Sequence, residues 1–174
     1  EIEALANTVS DSGGVEFVPA LTGLGAPYWD PEARGVICGL TRGSGKGHIA
    51  RATLDAMALQ NADILREMER ELGKRMKPLR VDGGAAANNL LMQLQADYLG
   101  RKIIRPKVIE TTVAGASFLA GLGVGLWSST AEVSKVWSSD REFAVALSAK
   151  RRDTRHTAWA TAVARARLRE ANDG

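Results

Sequence analysis

Leu79-Arg80-Val81-Asp82-Gly83-Gly84-Ala85-Ala86-Ala87-Asn88-Asn89 is the stretch that decides the fold. Leu79 to Val81 suit a short strand, the paired glycines turn the chain, and a helix is predicted from about 87 to 99, where Gly100 stops it. Downstream the order repeats. Lys102-Ile103-Ile104-Arg105 reads as a strand ended by Pro106, and Thr111 or Thr112 is expected to cap a helix running to about 125. Strands alternating with helices predict an α/β domain. Upstream, Val15-Glu16-Phe17-Val18, closed by Pro19, and Val36-Ile37-Cys38-Gly39-Leu40 read as two strands near enough to pair as a hairpin, so a mixed sheet is expected rather than a parallel one. Between the two regions, Ile49, Ala52, Ala56, Leu59, Ile64, Leu65, Met68 and Leu72 form one stripe of a helix over 47–72, closed by Gly73. A short helix over 131–137 and a longer one over 151–170 complete the prediction. The many small residues of 111–125, among them Gly115, Gly121 and Gly123, predict a helix pressed closely on a neighbour, since each interior glycine costs about 1 kcal/mol against alanine.

The composition narrows the class. With 174 residues, 45% hydrophobic and 25% charged, the chain has the apolar content for a core and not the bias of a disordered segment. Cys38 stands alone, which excludes a disulfide framework and suits a reducing, cytosolic compartment. The longest run free of charged or strongly polar residues, 113–127, has 15 residues, Ser117 and four glycines among them, and falls short of the roughly 20 that a membrane helix needs. The chain opens on Glu1 rather than Met, so it is expected to be a piece of a longer polypeptide. A net charge of +3 does not demand a polyanionic partner, although 141–174 holds eight basic residues against four acidic ones. A nucleic-acid or membrane-surface helix is one reading of that segment. A solvated face is the other, with Trp159, Val163 and Ala166 packing the opposite side on the core, and it is favoured because no aromatic residue interleaves the arginines as base stacking would want.

Most motifs that could carry chemistry fail on spacing. Arg42-Gly43-Ser44-Gly45-Lys46-Gly47 lacks the first glycine of a phosphate loop, where Leu40 stands, and the hydroxyl residue after the lysine. His48 and His156 have no ligand-spaced partners, so no metal site is predicted. What survives is the doublet Gly83-Gly84 with Asn88. Two residues without side chains at a bend would let a flat ring lie against the backbone, a helix start offers N–H groups, and an amide one turn along can pair with an adenine edge. The same residues also read as a plain strand-to-helix turn with Asn88 or Asn89 as its cap.

Longer motifs add a resemblance. Phe17-Val18-Pro19-Ala20-Leu21-Thr22-Gly23-Leu24-Gly25-Ala26-Pro27-Tyr28-Trp29-Asp30-Pro31, then Ala33-Arg34-Gly35 and Gly39-Leu40-Thr41-Arg42-Gly43, closely resemble the glycerol kinases of the FGGY carbohydrate-kinase family. The likeness continues in order through 79–89, Leu91-Met92-Gln93, Ala96-Asp97 and Leu119-Ala120-Gly121. It implies a ribonuclease-H-like, actin-like ATPase fold, a mixed sheet with flanking helices and a C-terminal helical extension. Residues 1–174 would be most of the C-terminal nucleotide-binding domain, with a core of about 15–127 and the extension at 128–174. The implied reaction moves the γ-phosphate of ATP, with Mg²⁺, to glycerol, giving glycerol 3-phosphate, and the implied nucleotide-binding residues are Gly83, Gly84 and Asn88. The family's catalytic base and glycerol pocket have no counterpart here, so no catalytic residue is assigned and this stretch alone is expected to be inactive. Dimers or tetramers are usual in the family. Some enteric relatives are inhibited by a transport protein through an acidic, metal-binding residue; Arg151 stands at that position, so this regulation is not carried over. Another polyol or pentose kinase of the family is the alternative, and no nucleic-acid or membrane partner is expected.

Overall fold

The computed structural model describes residues 1–76 and 78–168. In chain order these form helix α1 (Ile2–Ala6), strands β1 (Glu16–Val18) and β2 (Val36–Cys38), helix α2 (Lys46–Leu72), strand β3 (Leu79–Arg80), a 3₁₀ turn (Gly84–Ala87), helix α3 (Asn89–Leu99), strand β4 (Ile103–Pro106), helices α4 (Thr111–Gly123) and α5 (Thr130–Val136), strand β5 (Ser139–Phe143) and helix α6 (Ala149–Ala166). Among these helices none is long and apolar enough to cross a membrane.

The strands make two sheets. β1 and β2 pair antiparallel, Glu16 opposite Cys38 and Val18 opposite Val36, as the hairpin reading predicted. In the second sheet β4 is central, parallel to β3 with Leu79 opposite Ile103, and antiparallel to β5 with Ile103 opposite Phe143. That sheet is therefore mixed. β5 and α1 were not predicted, and the end of the helix predicted to 170 lies outside the described residues.

α2 is the spine, about 40 Å long at 1.5 Å per residue. Its C-terminus is closed by Gly73, and that of α3 by Gly100, both in the left-handed conformation that glycine adopts without a Cβ clash. At its start the Gly45 N–H donates to His48 Nδ1 (3.1 Å), so that His48 caps the helix and the preceding loop is a turn into it, as predicted. The stripe foreseen for α2 is only half right. Ala52, Ala56, Leu59 and Leu65 are buried, but Ile49, Ile64, Met68 and Leu72 are exposed. Instead Ala50, Leu54, Ala58 and Ala62 complete the inner face, because small side chains let α1, α3 and α6 approach closely. α3 adds Leu91, Met92 and Leu94, and α6 adds Trp159, Ala162, Val163 and Ala166, to one continuous core. Each large side chain buried there contributes about 1.5–3 kcal/mol.

α4 departs from expectation. Its small residues do not press on a sheet: Val113 and Leu119 are about 70% exposed, and only Gly121 is covered, by the ring of Trp127, which a Cβ would strike. No threonine caps α4 either. Glu110 holds the cap position, and the Thr111 hydroxyl donates to Asp82 Oδ2 (2.6 Å).

The arginines of α6 divide between solvent and structure. Arg155 reaches inward to Glu16 through both Nη atoms (2.5 and 3.2 Å) and to Asp55 (3.5 Å), while Arg167 meets Asp30 (3.2 Å). His156 is 8% exposed, and its Nε2 lies 2.8 Å from the Tyr98 carbonyl, to which it donates. Burial holds its pKa below the ordinary 6.5; the Tyr98 bond and Asp63 oppose this, and the charges of Arg66 and Arg152 add to it. A histidine kept neutral in the fold stabilises above 6.5, and that contribution is lost as pH falls from there through the depressed native value, because the unfolded chain then binds the extra proton. Thermal unfolding is thus expected at lower temperature at pH 5 than at pH 7. His156→Gln, which keeps a donor for Tyr98, should flatten part of that drop; parallel curves for the two proteins would remove His156 as its cause.

Candidate functional site

The Gly83-Gly84 bend lies between β3 and α3 at the end of the mixed sheet. The ladder carries on one residue past β3, with Val81 N–H donating to Ile104 O (3.1 Å). Asp82 then accepts from Thr111, and Gly83 N–H donates to Ile109 O (2.8 Å), so the bend is tied to the start of α4. Gly83 has φ +80° and ψ 167°, a conformation open essentially to glycine alone. Gly84 is different. It is exposed, its φ lies outside the left-handed region, and a Cβ built on it would meet nothing within 4 Å. Its own chain, among the described residues, gives no reason for a glycine there.

The predicted helix at 87 begins instead as a 3₁₀ turn, and α3 proper starts at Asn89 with Asn88 as its N-cap. Asn88 Oδ1 accepts from Leu91 N–H (2.8 Å), so the cap reading of Asn88 is correct and its carbonyl is already engaged. Its NH₂ has no acceptor among the described residues. The first turn of α3 is likewise used, since Leu90 N–H donates to Glu3 Oε1 (2.9 Å). The free N–H groups expected at the helix start lie earlier, on Gly84 and Ala85, which have no acceptor among the described residues. The structure thus brings Gly83, Gly84 and Asn88 onto one turn: a bare ledge, two amide donors, and a side-chain NH₂ at its far end.

Sequence reasoning missed what holds this turn. Arg105, on β4, donates through Nη1 to Ala86 O (3.0 Å), Ala87 O (3.3 Å) and Asn89 Oδ1 (3.0 Å). Its Nε and Nη2 grip Asp140 on β5 (2.9 and 2.7 Å). The guanidinium is largely buried, at 12% exposed, and fastens the turn to the sheet. A strand ending Ile-Ile-Arg-Pro gives no local sign of this, because the acceptors lie 16 to 35 residues away.

The loop at 22–31 is structural within this chain. Leu24 and Asp30 pair through their backbones, Asp30 accepts from Glu32 and Ala33, and Tyr28 O–H donates to Asp63 (2.6 Å), which also accepts from Trp159 Nε1 (2.6 Å). Burial, and then the bond to Asp63, push the Tyr28 hydroxyl well above its usual range, so it stays a donor. Arg151, at the start of α6, is exposed.

Residues 2–124 match the FGGY family of carbohydrate kinases, C-terminal domain. The chain is 61% identical over 165 residues to a glycerol kinase of Bdellovibrio bacteriovorus and 57% identical over 166 residues to one of Saccharolobus islandicus. Each match covers 95% of this chain and 33% of the relative, so the chain spans about a third of the length of these curated relatives. Among solved structures, that of Plasmodium falciparum glycerol kinase with ADP is similar at a TM-score of 0.86 and 34% identity, covering 97% of this chain and 34% of that one. A xylulose kinase from Rhodospirillum rubrum, at TM-score 0.75 and 22% identity over 94% of this chain and 33% of that one, shares the fold.

Proposed function

The chain belongs to the FGGY family of carbohydrate kinases, and from that premise we propose that it is the adenine-side lobe of a glycerol kinase. Residues 1–174 are then most of the C-terminal nucleotide-binding domain, and the whole enzyme moves the ATP γ-phosphate to glycerol. One observation carries the nucleotide assignment: Gly84 is a glycine that the fold around it does not require, on a turn clamped rigidly by Arg105. A purine laid on that ledge meets bare backbone, and the Asn88 NH₂ donates to its edge while Oδ1 continues to cap α3.

The division of labour follows from what is present. ATP supplies the phosphoryl group, and this lobe binds and orients its base end. Asp82 is the carboxylate at the turn and is engaged by Thr111, and among the described residues no group of three or more His, Cys, Asp or Glu could hold a metal. Mg²⁺ therefore fits better on the phosphates and the other lobe than on these side chains. Phosphoryl transfer rests on positioning and charge neutralisation, so both lobes must close for turnover, and residues 1–174 alone are expected to leave glycerol unphosphorylated.

Asn88→Asp separates the nucleotide role from the cap. It keeps an acceptor for Leu91 N–H and removes the NH₂ donor. In the full-length enzyme KM for ATP should rise about tenfold, the worth of a lost hydrogen bond, with KM for glycerol and thermal stability nearly unchanged. An unchanged KM for ATP would leave Asn88 as a helix cap and nothing more.

A further inference from the structure

At the opposite end of α3 from Asn88, about 16 Å away along its eleven residues, the C-terminal half of α2, the end of α3 and the start of α6 enclose a cavity of about 130 Å³. Arg66, Arg75, Arg101 and Arg152 line it, and Glu69 is the one acid in its lining. We propose that this cavity binds a small phosphate-type oxyanion, at a site separate from the nucleotide ledge.

The charges do not balance within the chain. Glu69 Oε1 accepts from Met76 N–H (2.7 Å) and Arg101 Nη2 (2.6 Å). These bonds, the backbone one first, and the charges of Arg101 and Arg75 hold its carboxyl below the usual range, so one ionised acid faces four arginines. Arg66, Arg75 and Arg152 have neither an ion pair nor a hydrogen-bond acceptor among the described residues. Like charges gathered in one cavity repel, and more strongly where protein displaces water. The C-terminus of α3 offers the equivalent of about half a negative charge, enough to favour one of the cations and no more.

Two of the four are also held in place, unlike arginines on a solvated face. The Arg101 side chain is 12% exposed, its Nη1 donates to Met76 O (3.2 Å), and its Nε is buried with no acceptor. The Arg152 guanidinium lies over the Gly100 backbone, where a Cβ would come within 2.9 Å of it. Arg66 and Arg75 are exposed at the rim. A fixed floor with an unspent donor and an exposed cationic rim suit an oxyanion, since guanidinium forks match its geometry. The volume takes a phosphate group and not a nucleotide.

The test is calorimetric titration and thermal unfolding of the full-length protein with inorganic phosphate and pyrophosphate, against sodium chloride at matched ionic strength. Phosphate should raise the unfolding temperature beyond chloride and saturate. Arg66→Gln combined with Arg152→Gln should weaken binding at least tenfold, while Arg75→Gln alone, at an exposed and unbonded rim position, should weaken it severalfold in a protein that folds as before. Phosphate bound at the nucleotide site would be equal in all of these proteins and cancels. Phenyl phosphate binding as tightly as free phosphate would support a phosphorylated metabolite as the source, and its exclusion would support the free ion. Equal responses to phosphate and chloride, or variants that bind like the parent, would overturn the proposal.

Discussion

Asp55→Ala is expected to lower the free energy of unfolding by about 3–5 kcal/mol, the loss that follows when one partner of a buried ion network is removed. Asp55 is 2% exposed near the middle of α2. Its carboxylate accepts from Tyr98 O–H (2.8 Å) and Arg51 Nε (3.4 Å) and faces Arg155 Nη2 (3.5 Å). It therefore joins α2, α3 and α6 at one point. Alanine would leave the Tyr98 hydroxyl without its acceptor in the core, and Arg155 with Glu16 as its remaining counter-ion. For a domain of this size the midpoint should fall by about 10 °C. Asp55→Asn, which keeps an acceptor for Tyr98, should lose distinctly less. Denaturant unfolding measures both, and a loss below about 1 kcal/mol for alanine would mean that the three helices are held by apolar packing alone.

Gly84→Val carries the second large effect, and it falls on ligand rather than fold. The position has open space around it and an ordinary φ, so valine should leave the unfolding midpoint nearly unchanged. A branched side chain standing where the purine is proposed to rest should weaken ADP by about 1.4–2.8 kcal/mol, roughly tenfold to a hundredfold, as forced overpacking does elsewhere. Calorimetry on the full-length enzyme reads this directly. Valine tolerated with full ADP affinity would place the base elsewhere. Gly83 makes a poorer probe, because its backbone conformation strains any other residue and mixes fold with binding.

Much of this was legible in the chain. The glycines that end α2 and α3, the strand-turn-helix at 79–99 and the hairpin of β1 and β2 are local signals, read from turn chemistry and spacing. β5 was not, because Ser139-Asp140-Arg141-Glu142-Phe143 offers one buried residue; it is a strand through its pairing with β4, with Lys102 meeting Glu142 and Arg105 meeting Asp140 across the ladder. The exposed face of α4 misled for a related reason, since small apolar residues predict close contact without saying what makes it. At the site the doublet and Asn88 were visible, whereas Arg105 and the arginine cavity come from residues that only the folded chain brings together.

The Arg105 clamp has a mechanical consequence. One guanidinium spans three oxygens of the turn and a carboxylate on the neighbouring strand, so ledge and sheet edge travel as a single piece. Any shear of β5 along β4, by a partner or by an incoming lobe, would tug the same cation and tilt the Gly83-Gly84 turn. If the proposed base site lies there, its grip is tuned from the outer strand, by a lever that never touches the ligand.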